Sequence, residues 1–124
     1  MMKKRGVILF AHGSRDPLWR LPMEAVAAQV AATDPGVVVA CAYLELTEPD
    51  LPSAARQLAA RGVQQLTVVP LFLGVGKHVR EDLPLLMSDL RQQHPGVEIV
   101  LQPSVGENPE LIALLARIAL ADTA

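Results

Sequence analysis

Four short apolar runs, each followed by a longer amphipathic stretch, fix what this chain can fold into. The runs are Gly6 to Ala11, Val37 to Leu46, Leu66 to Leu71 and Val97 to Leu101. Each is continuous rather than alternating, the pattern of a strand covered on both faces. Pro17 to Ala32, Pro49 to Arg61, Val79 to Gln93 and Pro109 to Ala121 repeat apolar residues at helical spacing. Strand and helix in strict alternation imply parallel strands joined by right-handed crossovers. The sequence therefore predicts an α/β fold, a four-stranded and mainly parallel sheet with helices on both faces.

Local punctuation agrees with this reading. Pro17, Pro49 and Pro109 stand at predicted first turns, where a missing N–H costs little. Asp16 and Asn108 precede two of them as N-caps. Asp34-Pro35-Gly36, Arg61-Gly62 and His94-Pro95-Gly96 are helix stops. Pro22 and Pro84 fall inside helical stretches and predict a kink or a late start. Displaced by 60 residues, Pro35-Gly36-Val37 meets Pro95-Gly96-Val97, and Pro49 and Leu51 meet Pro109 and Leu111. Duplication or shared strand–helix grammar explains that offset equally well, and the polar residues are not repeated, since Glu45 falls opposite Val105.

Composition narrows the function classes. At 124 residues the chain reads as one domain spanning 1–124. Half of it is hydrophobic, yet aromatics make up only 3%, which suits buried parallel strands better than a sandwich or small barrel. A net charge of −2 without a basic tract argues against nucleic acid as a partner. No apolar run approaches the ~18–20 residues that span a bilayer. The run after Lys3-Lys4-Arg5 ends at His12, too soon for a signal-peptide core. Cys41 has no second cysteine to pair with and reads as a buried, reduced thiol. These features predict a cytoplasmic protein with no membrane partner.

In open parallel sheets ligands bind beyond the carboxyl ends of the strands. His12-Gly13-Ser14-Arg15 follows the first run, Glu45 closes the second, and Gly74-Val75-Gly76-Lys77-His78 with Arg80 follows the third. Two of three histidines and a carboxylate thus fall on one predicted rim. Gly13 lets the backbone turn tightly, Ser14 can cap the next helix, and the two loop glycines around His78 allow movement or close approach of a ligand. Arg15, Lys77 and Arg80 flank the histidines and could pair with a polycarboxylate. His94 ends a helix, where a cation suits the dipole, and carries no functional expectation. Gly76-Lys77 looks like the end of a phosphate-binding loop, but Leu71 stands where that loop needs glycine and His78 replaces its Ser or Thr. No Gly-x-Gly-x-x-Gly follows the first strand, which removes the dinucleotide fingerprint. Phosphoryl transfer through His12 would want an arginine where Ala11 stands.

From about Gly6 to Ala119 the chain resembles the small, single-domain sirohydrochlorin chelatases of the CbiX and SirB type. The resemblance lies in His12-Gly13-Ser14-Arg15, in Leu44-Glu45-Leu46-Thr47-Glu48-Pro49, and in Pro70-Leu71-Phe72-Leu73 with Gly76-Lys77-His78 and Asp82-Leu83-Pro84. It implies a chelatase-like fold, half of a flavodoxin- or Rossmann-like sheet, and ATP-independent insertion of Co²⁺, Fe²⁺ or Ni²⁺ into sirohydrochlorin. It also implies that His12 and His78 handle the metal and accept protons, with Glu45 as their acidic partner and Ser14, Arg15, Lys77 and Arg80 near the macrocycle. The metal is then a substrate, and no permanently bound cofactor is expected. Insertion strips water from a cation and removes two N–H protons, and neutral imidazole is suited to both tasks. Relatives of double length set two such domains around one cleft. A flat macrocycle needs two walls, so the resemblance implies a C₂ homodimer here. A non-catalytic tetrapyrrole or metal carrier using the same pocket is the alternative.

Overall fold

The computed structural model describes residues 3–122. Strands β1 (Arg5–Ala11), β2 (Val38–Tyr43), β3 (Gln65–Pro70) and β4 (Glu98–Leu101) form one sheet in the order β2-β1-β3-β4, with every pairing parallel. Helices α1 (Leu21–Thr33), α2 (Leu51–Ala60), α3 (Lys77–Gln93) and α4 (Pro109–Leu120) follow the strands in turn, and a single 3₁₀ turn over Val105–Glu107 precedes α4. The α/β expectation holds, with the whole sheet parallel.

Strand pleating assigns the faces. Ile8, Phe10, Ala42, Leu66, Val68 and Ile99 join Leu51, Ala54, Ala55 and Leu58 of α2 and Met87 and Leu90 of α3 in one buried cluster. The alternate residues point the other way, towards α1, where the Cys41 thiol reaches the Met23 carbonyl at 3.6 Å. Helices thus lie on both sides, but the α2–α3 side holds the core and α1 buries no residue completely. Cys41 is half-buried rather than sealed, and burial pushes its thiol pKa up, the direction of an unreactive cysteine. The expectation of strands buried on both faces holds best for β1. Edge strand β4 alternates, with Ile99 inward and Glu98 and Val100 exposed.

Several boundaries move from their sequence positions for local reasons. The first helix begins at Leu21, not Pro17, and Asp16 is not its N-cap. The Asp16 carboxylate instead accepts the Leu18 N–H at 2.9 Å, competing with helix formation, and Pro22 then takes up the first turn. Likewise α2 starts at Leu51, not Pro49, with Asp50 as its N-cap accepting the Ser53 N–H at 2.9 Å. β2 stops at Tyr43, short of Leu46, because Leu46 takes φ of +64° and the Thr47 N–H closes a three-residue turn on the Glu45 carbonyl. α3 begins at Lys77, two residues earlier than its apolar period indicates, and runs through Pro84. α4 starts as expected behind Asn108, whose side chain accepts the Glu110 N–H.

Asp50→Ala is expected to cost about 1 kcal/mol at neutral pH. Hydrogen bonds from Ser53 hold the Asp50 carboxyl below its ordinary value of 3.8. A lowered folded-state pKa means the contribution is complete above that ordinary value and is lost as pH falls through the folded one. Urea melts of wild type and variant should therefore differ at neutral pH and converge in acid, once the pH has fallen below the lowered folded value.

Candidate active site

The first crossover carries the chain from β1 outward to β2, and the second carries it back across β1 to β3. The sheet's connection sense thus reverses between β1 and β3, and at such a point the loops diverge and leave a crevice at the strand carboxyl ends. His12 follows β1 directly, and the segment 71–76 that leads into His78 follows β3. His12 and His78 line the same hollow, together with Phe72, Gly74, Val75 and Lys77. The His12 ring stands edge-on to Phe72, with centroids 6.4 Å apart.

Glu45 reaches His12 from the loop after β2. Its carboxylate oxygen Oε1 lies 3.2 Å from His12 Nε2, and each side chain is a little over half exposed. An ion pair so open to water contributes little to stability, ~1 kcal/mol at most. Its consequence is orientation, since it fixes which imidazole nitrogen faces the carboxylate and which stays free.

The backbone beneath this pair is tightly determined. Gly13 adopts φ of +105°, and a Cβ there would sit 1.7 Å from the Glu45 carbonyl oxygen. The Glu45 N–H in turn donates to the His12 carbonyl at 3.1 Å. Thr47 Oγ1 accepts the Ser14 N–H at 3.0 Å and donates to the Ser14 carbonyl at 2.7 Å. Those bonds clasp the loop after β1 to the loop after β2 and hold Leu46 in its left-handed conformation, a type of strain found at functional sites. On the far side, the buried Ser104 hydroxyl donates to the Phe72 carbonyl at 2.7 Å and the Gly106 N–H to the same oxygen at 3.0 Å. The loop carrying Phe72 towards His78 is thereby tied to the segment after β4.

The other residues singled out from the sequence fall into place unevenly. His78 lies in the first turn of α3 rather than in a loop, so its backbone is helical and Gly76 is the N-cap. Ser14 does not cap α1; its hydroxyl accepts the Asp16 N–H within the turn that precedes that helix. Lys77 is exposed and 4.0 Å from Glu81. The Arg80 guanidinium donates to the Val75 carbonyl at 2.7 Å and also borders a larger hollow floored by Phe72, Leu83, Pro84 and Ser104. Arg15 is exposed. His94 caps the opposite end of α3 from His78. Among the described residues no three metal-binding side chains come together as one group: His12 pairs with Glu45 and shares a hollow with His78, but the three expected ligands do not converge. Thr47, Phe72 and Ser104 went unassigned at the sequence level, because hydroxyl and aromatic groups in loops have no spacing signal.

Comparison with known proteins places the chain as a whole. A sequence model of the family described as CbiX matches residues 6–120. The sirohydrochlorin cobaltochelatase of Methanosarcina acetivorans is 33% identical over 88 residues, 71% of this chain and 68% of that protein. That of Sulfurisphaera tokodaii is 30% identical over 112 residues, 89% of this chain and 87% of its own length. Among solved structures, the putative cobalamin biosynthesis CbiX protein of Marinobacter aquaeolei VT8 superposes with a TM-score of 0.79 at 36% identity, covering 93% of both chains. The chelatase SirB of Bacillus subtilis subspecies spizizenii, solved with cobalt, shares the fold at a TM-score of 0.78 and 24% identity, and this chain spans half of it. With residues 6–120 matched by the family model and the fold shared over nearly its whole length, the chain belongs to the CbiX family.

Proposed function

We propose that this protein is an ATP-independent chelatase that inserts a divalent metal into sirohydrochlorin and works as a cytoplasmic homodimer. The observation that carries the reading is the His12–Glu45 pair at 3.2 Å, facing the hollow that His78 also lines, in a chain whose relatives are named sirohydrochlorin cobaltochelatases.

The reaction exchanges two pyrrole N–H protons for one M²⁺, so the protein must bare the cation and remove two protons. With Glu45 accepting from His12 Nε2–H, the Nδ1 lone pair is free to take a metal or a proton. The carboxylate then offsets the charge His12 acquires in either role. His78 supplies a second imidazole across the hollow. Imidazole binds Co²⁺, Fe²⁺ and Ni²⁺ without the permanence of a four-ligand structural site, and a transient hold is what transfer requires. Arg15, Lys77 and Arg80 surround the rim with cations suited to the acidic periphery of the macrocycle. The relatives' names favour Co²⁺ over Fe²⁺ and Ni²⁺ as the metal substrate, and no resident cofactor is required. A rim that presents one wall calls for a second copy to enclose a flat macrocycle.

Anaerobic mixing of the protein with sirohydrochlorin and each metal, followed by the visible spectrum of the macrocycle, tests the reading. Insertion of Co²⁺ well above the rate in buffer is expected. Binding of the macrocycle with no acceleration for any metal would overturn the enzyme in favour of a carrier.

A further inference from the structure

The segment between β3 and α3 is held unevenly. At its start the Leu71 N–H donates to the Phe10 carbonyl at 2.7 Å. The Phe72 carbonyl then accepts two donors, the Ser104 hydroxyl at 2.7 Å and the Gly106 N–H at 3.0 Å. Gly106 approaches so closely that a Cβ there would fall 1.8 Å from the Leu73 carbonyl oxygen. Beyond Leu73 the packing opens, and a Cβ at Gly74 or Gly76 would meet nothing within 4 Å. Ser104 is 6% exposed, the one buried polar residue among those described. A buried hydroxyl needs a partner, but the oxygen it binds already has one in Gly106. Two donors on one carbonyl fill both lone pairs and fix the peptide plane as well as its position.

The residue held in this way is the one beside His12. Phe72 is 8% exposed and joins the core through Phe10, their rings crossing at 84° with centroids 5.9 Å apart. The same ring stands at 83° to the His12 imidazole, with centroids 6.4 Å apart. Glu45 holds that imidazole by one nitrogen, at 3.2 Å. A single contact leaves the ring free to swing, because the terminal torsion of a histidine is broad rather than sharply staggered. Phe72 is the second contact, and the two together set the plane of the ring and hence the direction of its free nitrogen.

We infer that Ser104 is a positioning residue for His12: its hydroxyl fixes the Phe72 backbone, and the Phe72 side chain fixes the plane of the imidazole. This rests on the reading of His12 as the group that handles metal and protons, and it gives the segment after β4 a part in a site otherwise built from the loops after β1, β2 and β3. Changing the outer partners of a metal-handling imidazole costs about 10–100-fold in affinity or activity. Ser104 acts at one further remove, through Phe72, so Ser104→Ala is expected to lower kcat by about 10-fold, the lower end of that range. The KM for the macrocycle should not change, since a buried hydroxyl bound to a carbonyl is not placed to touch it.

The chain has three histidines, so their ring resonances can be assigned by single substitutions and followed by NMR in the full-length protein. Spectra of wild type, Ser104→Ala, Phe72→Leu and the double variant test the inference. An imidazole beside an aromatic ring carries that ring's current shift, so Phe72→Leu should move the His12 resonances. Ser104→Ala should move them in the same direction by a smaller amount, and the double variant should match Phe72→Leu alone. His94, at the other end of α3, should stay still. Ser104→Cys, close in size but only a weak donor, should reproduce the shift and keeps the test open should the alanine variant fold poorly. His12 resonances unmoved in both Ser104 variants would overturn the positioning role whatever the rate does. Equal movement at His94 would overturn it too, as the mark of general loosening, and so would a raised KM at unchanged kcat. A wild type that inserts no metal would sink the chelatase proposal instead, and the resonances would still decide what Ser104 does to His12.

Discussion

His12→Ala is expected to slow metal insertion by about 10²–10⁴-fold, the usual contribution of a positioned acid–base group, while leaving the protein folded. Both halves of that expectation come from the same geometry. The imidazole is more than half exposed, and its pairing with Glu45 is worth at most ~1 kcal/mol to stability, so the urea midpoint should hardly move. The rate, however, loses the nitrogen that takes the metal or the proton. Glu45→Gln should be milder, about 10–100-fold, since it removes the orienting charge but keeps a hydrogen-bond acceptor beside Nε2. In the double variant the two effects should fall well short of additive, because Glu45 acts through His12. Partial rescue of His12→Ala by added imidazole, without change in the apparent affinity for the macrocycle, would separate loss of chemistry from loss of binding. A variant that kept wild-type turnover would exclude His12 from the reaction. His78→Ala should give a loss of the same order, and equal pH profiles for the two histidine variants would argue that they act in one step.

The fold was largely readable from alternation, because continuous apolar runs leave few arrangements for a chain of this length. The rim was readable for the same reason: polar residues directly after buried strands have nowhere to be except at the carboxyl edge. Helix starts were less legible. Asp16 satisfies the usual description of an N-cap, but its carboxylate closes a local turn on Leu18 instead, and nothing in the sequence ranks those two bonds. His78 looked like a loop residue because Gly74 and Gly76 precede it, yet a glycine N-cap starts α3 at the following residue. Neither glycine serves a tight contact, since a Cβ at each would meet nothing within 4 Å. The Thr47–Ser14 clasp depends on a left-handed Leu46, a conformation that leucine rarely adopts and that sequence does not announce. The exposure of α4, with Ile112, Leu114 and Ile118 open to solvent, was invisible for a different reason. An apolar stripe at helical spacing reads the same whether or not its own sheet receives it.

Gly13→Ala should produce the largest loss of stability of any single methyl added at the rim, about 3–5 kcal/mol. The figure has two parts. An L-residue held at φ of +105° costs ~1–3 kcal/mol by itself. The remainder comes from the clash: the new Cβ would fall 1.7 Å from the Glu45 carbonyl oxygen, and its next neighbour is the carbonyl carbon at 2.9 Å. Backbone, not a flexible side chain, is in the way, so the loops after β1 and β2 must separate. Separation breaks the Glu45 N–H bond to His12 and strains the Thr47 clasp on Ser14. Losses of this size are a large fraction of a domain's total stability, and the urea midpoint should fall with little change in slope. Gly74→Ala is the matched control, with open space around the new methyl and no positive φ; it should be neutral or stabilising by up to ~1 kcal/mol. Equal shifts for the two variants would mean that Gly13 is ordinary loop and that the close approach of the two rim segments carries no energy. If instead Gly13→Ala is selectively destabilised and its folded fraction inserts metal no faster than Glu45→Gln, the approach of those segments is what brings His12 and Glu45 within reach of each other. The rim would then depend on a residue that has no side chain with which to take part in the chemistry.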